Sequence, residues 1–138
     1  MIYTLGYSGW LPTHLEKTVT DLDAVLCDIR YSPASRNPQW SKKQLSALLG
    51  ARYLHIQALG NVNYRNGGAI ALADFPSGKQ AVEPIRASGQ QIILMCACRD
   101  VTTCHRLVAG QQLSMDWGEP MQHLSPTGAV IERQLPLP

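Results

Sequence analysis

The sequence predicts an α/β fold, namely a compact three-layer domain with a mostly parallel central sheet and crossover helices. Short apolar runs alternate along the chain with segments whose apolar residues recur at helical spacing. The run over residues 24–29 is continuous rather than alternating, as in a strand buried on both faces. The 138 residues are 45% hydrophobic, which suits one core, so we expect residues 1–138 to form a single domain.

The first half of the chain contains three predicted strands and two helices. Residues 2–5 are the first strand, and residues 11–22 are a helix with apolar side chains at 11, 15, 19 and 22. Residues 24–29 form the second strand, which ends at the charged pair Asp28 and Arg30. Ser41 is placed to cap a second helix that stops at Gly50, and residues 53–56 are the third strand.

The second half begins with a Gly- and Asn-rich segment over residues 60–74, which we interpret as a surface loop, with a lid as the alternative. Residues 77–87 are a predicted helix with a kink or break at Pro84, and residues 91–96 are a strand expected at the sheet centre. A helix over about residues 104–113 has Thr103 as its predicted N-cap. Residues 121–135 resemble a hairpin or a loop leading to an edge strand.

Composition excludes several classes of protein. The net charge of +2 is too small for a dedicated nucleic-acid or membrane protein, and no segment approaches the roughly 18 apolar residues of a membrane span. We expect a cytoplasmic protein without a membrane partner, in which cysteines stay reduced. The common phosphate-loop, dinucleotide and metalloprotease motifs are absent, so no cofactor is expected.

Polar residues follow three of the predicted strands, where ligands bind in open α/β sheets. The first group is Thr4, Gly6, Tyr7 and Ser8; the second is Asp28, Arg30, Ser32, Ser35 and Arg36; the third is the stretch MCACRDVTTCHRL over residues 95–107.

These groups predict a site for a small anionic ligand, such as a phosphate or a nucleotide. The predicted ligand-binding residues are Arg30, Arg36, Arg106, Ser8 and Ser32, with Arg99 as a fourth arginine. The N-terminus of the helix that begins near Cys104 would add its free N–H groups. The alternative is that Asp28 pairs with one arginine and that the others lie on the surface.

Cys104 is the predicted nucleophile, because a first-turn position and the neighbouring Arg106 both favour a thiolate. His105 and Asp28 complete the predicted catalytic set. The alternative for Cys104 is a packed thiol under the helix, and Cys27, inside an apolar run, is expected to be packing alone.

Four residues also offer zinc-type ligands, namely Cys96, Cys98, Cys104 and His105. Zinc sites usually show cysteine pairs separated by two to four residues, and this spacing is less regular. The sequence therefore predicts no metal, with zinc bound by these four residues as the alternative.

Three blocks of residues resemble the bacterial and archaeal family called domain of unknown function 488. The blocks are TLGYS over residues 4–8, DIRYSP over 28–33 with SR at 35–36, and LMC over 94–96 followed by CHR at 104–106. The resemblance implies a compact α/β fold and a polar site shared by the blocks, but no activity. Tyr7 replaces the family's usual histidine, Cys98 replaces its usual glutamate, and the loop over residues 61–68 is short.

Three functions are consistent with these residues. The first is an enzyme, or former enzyme, that acts on a phosphorylated or nucleotide-like molecule through Cys104. The second is a noncatalytic module that binds a nucleotide or nucleic-acid phosphate, with base stacking on Trp10, Trp40 or Tyr31, although such rings are more often packing residues. The third is a zinc-stabilised structural domain.

Overall fold

The computed structural model describes residues 1–33, 35–98, 100–126 and the backbone of 130–134. Its strands are β1 (Ile2–Gly6), β2 (Ala24–Asp28), β3 (Tyr53–His55), β4 (Gln91–Cys96), β5 (Met121–Leu124) and β6 (Val130–Gln134). Its α-helices are α1 (Pro12–Asp21), α2 (Lys42–Leu49), α3 (Phe75–Ala87) and α4 (His105–Trp117).

The six strands form one sheet in the order β3-β2-β4-β1-β5-β6. The first five are mutually parallel, and β6 is antiparallel to β5 at the edge. Strand β4 lies between β2 and β1, with Cys96 opposite Gly6 and Met95 opposite Asp28. The carboxyl ends of β1, β2 and β4 therefore lie side by side, and the three predicted polar groups meet at one edge of the sheet.

Helices cover both faces of the sheet, which confirms the predicted three-layer α/β fold. On one face, α1 and α2 bury Leu15, Val19 and Leu45 together with Trp10 and Trp40. On the other face, α3 and α4 bury their own apolar side chains, Val82, Ala109 and Leu113. The two tryptophans are thus packing residues, only 4% and 3% exposed, and are not available for base stacking.

Most predicted elements are present, and the deviations have local causes. Helix α3 begins two residues earlier than predicted, because Asp74 accepts a hydrogen bond from the Ser77 amide and acts as the N-cap. The helix continues through Pro84 to Ala87, so the predicted break does not occur. The edge strand predicted near the C-terminus is β6, whereas residues 127–129 of the connecting turn lie outside the described residues.

The start of α4 is the main correction to the predicted elements. Thr103 is not the N-cap; it ends the 3₁₀ turn Val101–Thr103, and Cys104 is the N-cap, with extended backbone angles. The turn forms because the Asp100 carboxylate accepts hydrogen bonds from the amide and the hydroxyl of Thr102. The chain therefore enters the helix one residue later than predicted.

Within the described part of the chain, none of the helices has both the length and the apolar character needed to cross a membrane.

Candidate functional site

The loop after β4 is held against the end of β1. The Tyr7 amide donates to the Cys96 carbonyl over 2.9 Å, so the chain after β1 extends the sheet by one hydrogen bond. Arg106, 1% exposed, donates from Nη1 to the Cys98 carbonyl over 2.5 Å and from Nε to the Thr4 hydroxyl over 3.3 Å. Arg106 thus fixes the position of the loop that carries Cys98.

Three thiols and one imidazole converge at this loop. Strand β4 ends at Cys96, the loop carries Cys98, and Cys104 and His105 begin α4. The ligand atoms of Cys96, Cys104 and His105 all lie within 4.8 Å of one another. The Cys98 thiol is not one of this group of three, but it lies near enough to the thiols of Cys104 and Cys96 for both to lower its pKa. We call these four residues the thiol cluster; among the described residues, Cys96, Cys104 and His105 form the group whose ligand atoms are close enough to hold a metal ion.

The imidazole of His105 has a defined orientation. Its Nε2 lies 2.7 Å from the Ile29 carbonyl oxygen, and a carbonyl can only accept, so Nε2 carries the proton. The Nδ1 lone pair then faces the Cys104 sulfur at 3.9 Å. Burial lowers the pKa of His105 despite the hydrogen bond to Ile29, which favours the neutral ring.

Cys98 is the thiol of the metal-free cluster whose pKa is lowered. Hydrogen bonds from Cys104 and then from Cys96 lower the pKa of the Cys98 thiol, with support from the nearby His105 and Arg106. Hydrogen bonds to Cys104 and Cys98, together with burial, raise the pKa of Cys96.

Cys104 does not have the lowered pKa predicted from its helix position. Its hydrogen bond with Cys96 lowers the pKa of Cys104, but the hydrogen bond to Cys98 and burial raise it more. The Cys104 side chain is only 1% exposed, so the desolvation of a charge adds to the effect of Cys98 in raising the pKa of Cys104. Cys27, as predicted, is a fully buried packing residue outside this cluster.

Asp28 and Arg30 form a buried ion pair beside the thiol cluster. Arg30 donates to the two carboxylate oxygens of Asp28, from Nε over 2.8 Å and from Nη2 over 2.6 Å. The Tyr53 hydroxyl donates to the same carboxylate over 2.6 Å. The Arg30 guanidinium lies over the ring of Tyr7, at 5.5 Å from its centroid, and Tyr7 stacks on Trp40. This is the pairing that the sequence offered as the alternative to an anion site.

One nitrogen of Arg30 is not satisfied by this pair. Nη1 is buried and has no hydrogen-bond partner within residues 1–33, 35–98 and 100–126, although Arg30 as a whole is 6% exposed. A buried, unpaired N–H group costs about 1–3 kcal/mol. The pair with Asp28 therefore leaves one guanidinium donor of Arg30 unused.

The Arg30 side chain also lines a cavity of about 480 Å³ at the carboxyl edge of the sheet. The strand ends and the start of α4 contribute Tyr7, Arg30, Tyr31, Ser32, Cys98 and His105 to its lining. The loop after β3 contributes Asn61, Asn63, Tyr64, Gly67, Gly68 and Ile70. The loop predicted as surface or lid thus forms a wall of the cavity.

Only some of the predicted ligand-binding residues line the cavity. Arg30 and Ser32 line the cavity, whereas Ser8 and the exposed Arg36 do not. Arg106 lies beneath the cysteine loop and is not among the cavity-lining residues.

The predicted catalytic residues likewise do not all meet at one place. Cys104 and His105 meet in the thiol cluster, while the hydrogen bonds of the Asp28 carboxylate go to Arg30 and Tyr53. Arg99 lies outside the described residues.

Sequence reasoning missed Tyr53, Asn63 and Tyr64. Tyr53 sits at the start of a predicted strand, where an aromatic residue is ordinarily a packing residue. Asn63 and Tyr64 belong to the Gly- and Asn-rich loop, whose composition was the only signal. The Asn61 side chain orders that loop by accepting hydrogen bonds from the amides of Asn63 and Ala71.

Comparison with known proteins gives one match. No curated protein and no solved structure matches the chain significantly. A family model does match, over residues 15–67, a range that contains β2, the Asp28–Arg30 pair and part of the cavity loop. The match confirms, over this segment, the resemblance of the chain to the family described as the domain of unknown function DUF488.

Proposed function

We propose that the protein binds a small phosphorylated, nucleotide-like ligand in the cavity beside the thiol cluster. The observation that carries this proposal is Arg30, whose side chain lines the cavity and whose Nη1 has no hydrogen-bond partner among the described residues. A phosphate oxygen is a strong acceptor for guanidinium N–H groups. Ligand binding would supply the hydrogen bond that the free protein lacks.

The charge of the pocket is consistent with a modest affinity for the phosphate. Asp28 already neutralises Arg30, and their hydrogen bond and mutual attraction raise the pKa of Arg30 even though burial alone would lower it. The ligand therefore meets a polarised, positioned donor rather than a free positive charge. Fixed donors in a partly desolvated site favour recognition by geometry more than by net charge.

Aromatic side chains at the mouth of the cavity suit a planar group on the same ligand. The rings of Tyr31 and Tyr64 lie with their centroids 6.0 Å apart and tilted by 43°. Both tyrosines line the cavity, and Tyr64 is 46% exposed. Bases stack on exposed aromatic rings with little dependence on sequence, at about 1–3 kcal/mol per base. A nucleotide would place its phosphate near Arg30 and its base near these rings.

Thermal unfolding in the presence of ligands tests the proposal. A ligand bound only by the native state stabilises it by about 2.7 kcal/mol at a hundredfold excess over its dissociation constant. We expect nucleoside monophosphates to raise Tm at constant ionic strength, inorganic phosphate to raise it less, and the unphosphorylated nucleosides least.

Variants assign the effect to the cavity. Tyr64→Ala should reduce the rise in Tm caused by a nucleotide. In the double variant Asp28→Asn with Arg30→Gln, a nucleotide should raise Tm no more than the unphosphorylated nucleoside does. The double variant is used because Arg30→Gln alone would leave the Asp28 charge buried and unpaired. Arg36→Ala, exposed and outside the cavity lining, is the control. Equal responses of all variants, or no response beyond that to chloride, would refute the site.

A further inference from the structure

We infer that the thiol cluster is a zinc site in which Cys96, Cys98, Cys104 and His105 supply four protein ligands. The inference goes beyond ligand binding in the cavity, and none of its steps depends on Arg30. It reverses the expectation from cysteine spacing, which favoured no metal. The support is geometric and chemical and comes from the arrangement of Cys96, Cys104 and His105, with Cys98 on the adjoining loop as the fourth ligand.

The donor set suits zinc. Thiolate sulfur and imidazole nitrogen are the ligands of structural zinc sites, with metal–sulfur distances of about 2.3 Å and metal–nitrogen distances of about 2.0–2.1 Å. A tetrahedron with these bond lengths separates its sulfur atoms by about 3.8 Å. The ligand atoms of Cys96, Cys104 and His105 already lie within 4.8 Å of one another. Closing on an ion thus needs only small side-chain adjustments.

The cluster also has the surroundings of a metal site. A histidine that binds a metal through one ring nitrogen almost always donates from the other nitrogen to a carbonyl or a carboxylate. His105 does this, since Nε2 donates to the Ile29 carbonyl and leaves the Nδ1 lone pair facing the Cys104 sulfur. The imidazole is therefore held in the tautomer and orientation that zinc requires.

Arg106 compensates the charge of such a site. Three thiolates and one neutral imidazole around Zn²⁺ carry a net charge of −1. The Arg106 guanidinium lies beside the cluster, with Nη1 at 3.6 Å from the Cys96 sulfur and 2.5 Å from the Cys98 carbonyl. The buried arginine and the metal site would together be neutral, which reduces the cost of burying both.

The chain path explains how an irregular spacing converges on one point. Cys96 ends β4, and Cys98 is two residues further on, so their side chains leave the same loop. The 3₁₀ turn Val101–Thr103 then reverses the chain. Cys104 has extended backbone angles as the N-cap and His105 is the first helical residue, so adjacent side chains can reach one ion from different directions. The usual two-to-four-residue spacing is not needed when a turn performs this reversal.

Elemental analysis and cobalt substitution test the inference on the full chain. Protein purified under reducing conditions without chelator should contain close to one zinc per chain. Co²⁺ added to chelator-treated protein should give the intense sulfur-to-metal charge-transfer absorption and the visible bands of a tetrahedral thiolate site. Zinc should displace this signal at a ratio of one to one.

Matched cysteine variants assign the ligands. Cys98→Ser and Cys104→Ser should each lower zinc affinity at least tenfold, while Cys27→Ala, which removes a buried thiol outside the cluster, should leave affinity within about twofold. If Cys104→Ser does not fold, Cys98→Ser and the cobalt spectrum of the parent still decide the question. Absence of zinc and of a thiolate-to-cobalt band in the parent would overturn the inference. Unchanged affinity in Cys98→Ser would overturn the four-ligand assignment.

Discussion

Gly6 and Cys98 approach each other so closely that residue 6 has no room for a side chain. A Cβ built on Gly6 would lie 1.6 Å from the Cys98 carbonyl oxygen and 2.8 Å from Nη1 of Arg106. The contact joins the end of β1 to the loop that carries the thiol cluster. The need for glycine here is therefore one of space rather than of backbone angle.

Gly6→Ala should displace the cysteine loop. Because the obstructing atom is backbone held by Arg106, we expect a loss of about 3 kcal/mol or more in the free energy of unfolding. Urea denaturation measures this loss. Ser8→Ala, two residues after Gly6 and outside the cavity lining, is the control and should change stability by no more than about 0.5 kcal/mol. A Gly6→Ala protein as stable as the parent would show that the loop can move without cost.

The ion pair between Asp28 and Arg30 leads to a second prediction. Asp28→Ala leaves the buried Arg30 guanidinium without its partner, so we expect a loss of about 3–5 kcal/mol. Tyr53→Phe removes one hydrogen bond to the same carboxylate and should cost about 1.5–3 kcal/mol. Denaturant titrations rank the two variants. A smaller loss for Asp28→Ala than for Tyr53→Phe would contradict the view that Arg30 depends on this carboxylate.

Local sequence signals identified the fold because each element carried its own pattern. Ser41 caps α2 and Gly50 ends it, as predicted, since a side-chain cap and a positive φ are decided within a few residues. The start of α4 was misplaced because the Asp100 carboxylate organises a turn that competes with Thr103 for the helix boundary. Such competition between neighbouring caps is not resolved by counting apolar residues.

The sequence predicted where the site lies but not what each of its residues does. Parallel strands place their carboxyl ends together, so the meeting of the blocks after β1, β2 and β4 could be foreseen. The role of each arginine could not, because it depends on neighbours distant in sequence. Thr4 and Cys98 hold Arg106, whereas Asp28, held in turn by Tyr53, binds Arg30 and leaves its Nη1 without a partner among the described residues. None of these pairings recurs at a regular spacing along the sequence, so the periodicity that reveals helices and strands cannot reveal them.

Stability should decline at alkaline pH through Tyr53 and Cys27. Burial, and then the hydrogen bond to Asp28, raise the pKa of Tyr53, and burial raises the pKa of Cys27 to about 12. The unfolded chain loses these protons near pH 10 and near pH 8.5, respectively, with about these reference values. Above those values the native state binds more protons than the unfolded state, so the free energy of unfolding falls as pH rises.

The stabilisation by these two protonated groups is fully present below the pKa that each group has in the unfolded chain. It is lost as the pH rises toward the pKa that the group has in the folded protein. Urea denaturation from pH 7 to 11 measures the decline. The combined variant Tyr53→Phe with Cys27→Ala should be less stable at pH 7 and should show a shallower decline. An equally steep decline in that variant would assign the alkaline loss to other groups.

Alkylation should distinguish the cysteines of the metal-free protein. Thiolates react, and the exposed Cys98 is the thiol whose pKa is lowered, first by Cys104 and then by Cys96. Iodoacetamide at pH 7 should therefore modify Cys98 before Cys104, and Cys27 last, because Cys27 is buried and its pKa is raised to about 12. Peptide mass spectrometry after timed quenching gives the order.

Two controls make this order informative. Cys98→Ser should remove the fast phase without accelerating the modification of Cys27, whose surroundings it does not touch. Zinc added before the reagent should slow the modification of Cys98, since a coordinated thiolate has its lone pair engaged by the metal. Fast modification of Cys104 with Cys98 unmodified would restore Cys104 as the reactive thiol. It would also show that the position of Cys104 at the start of α4 outweighs its burial.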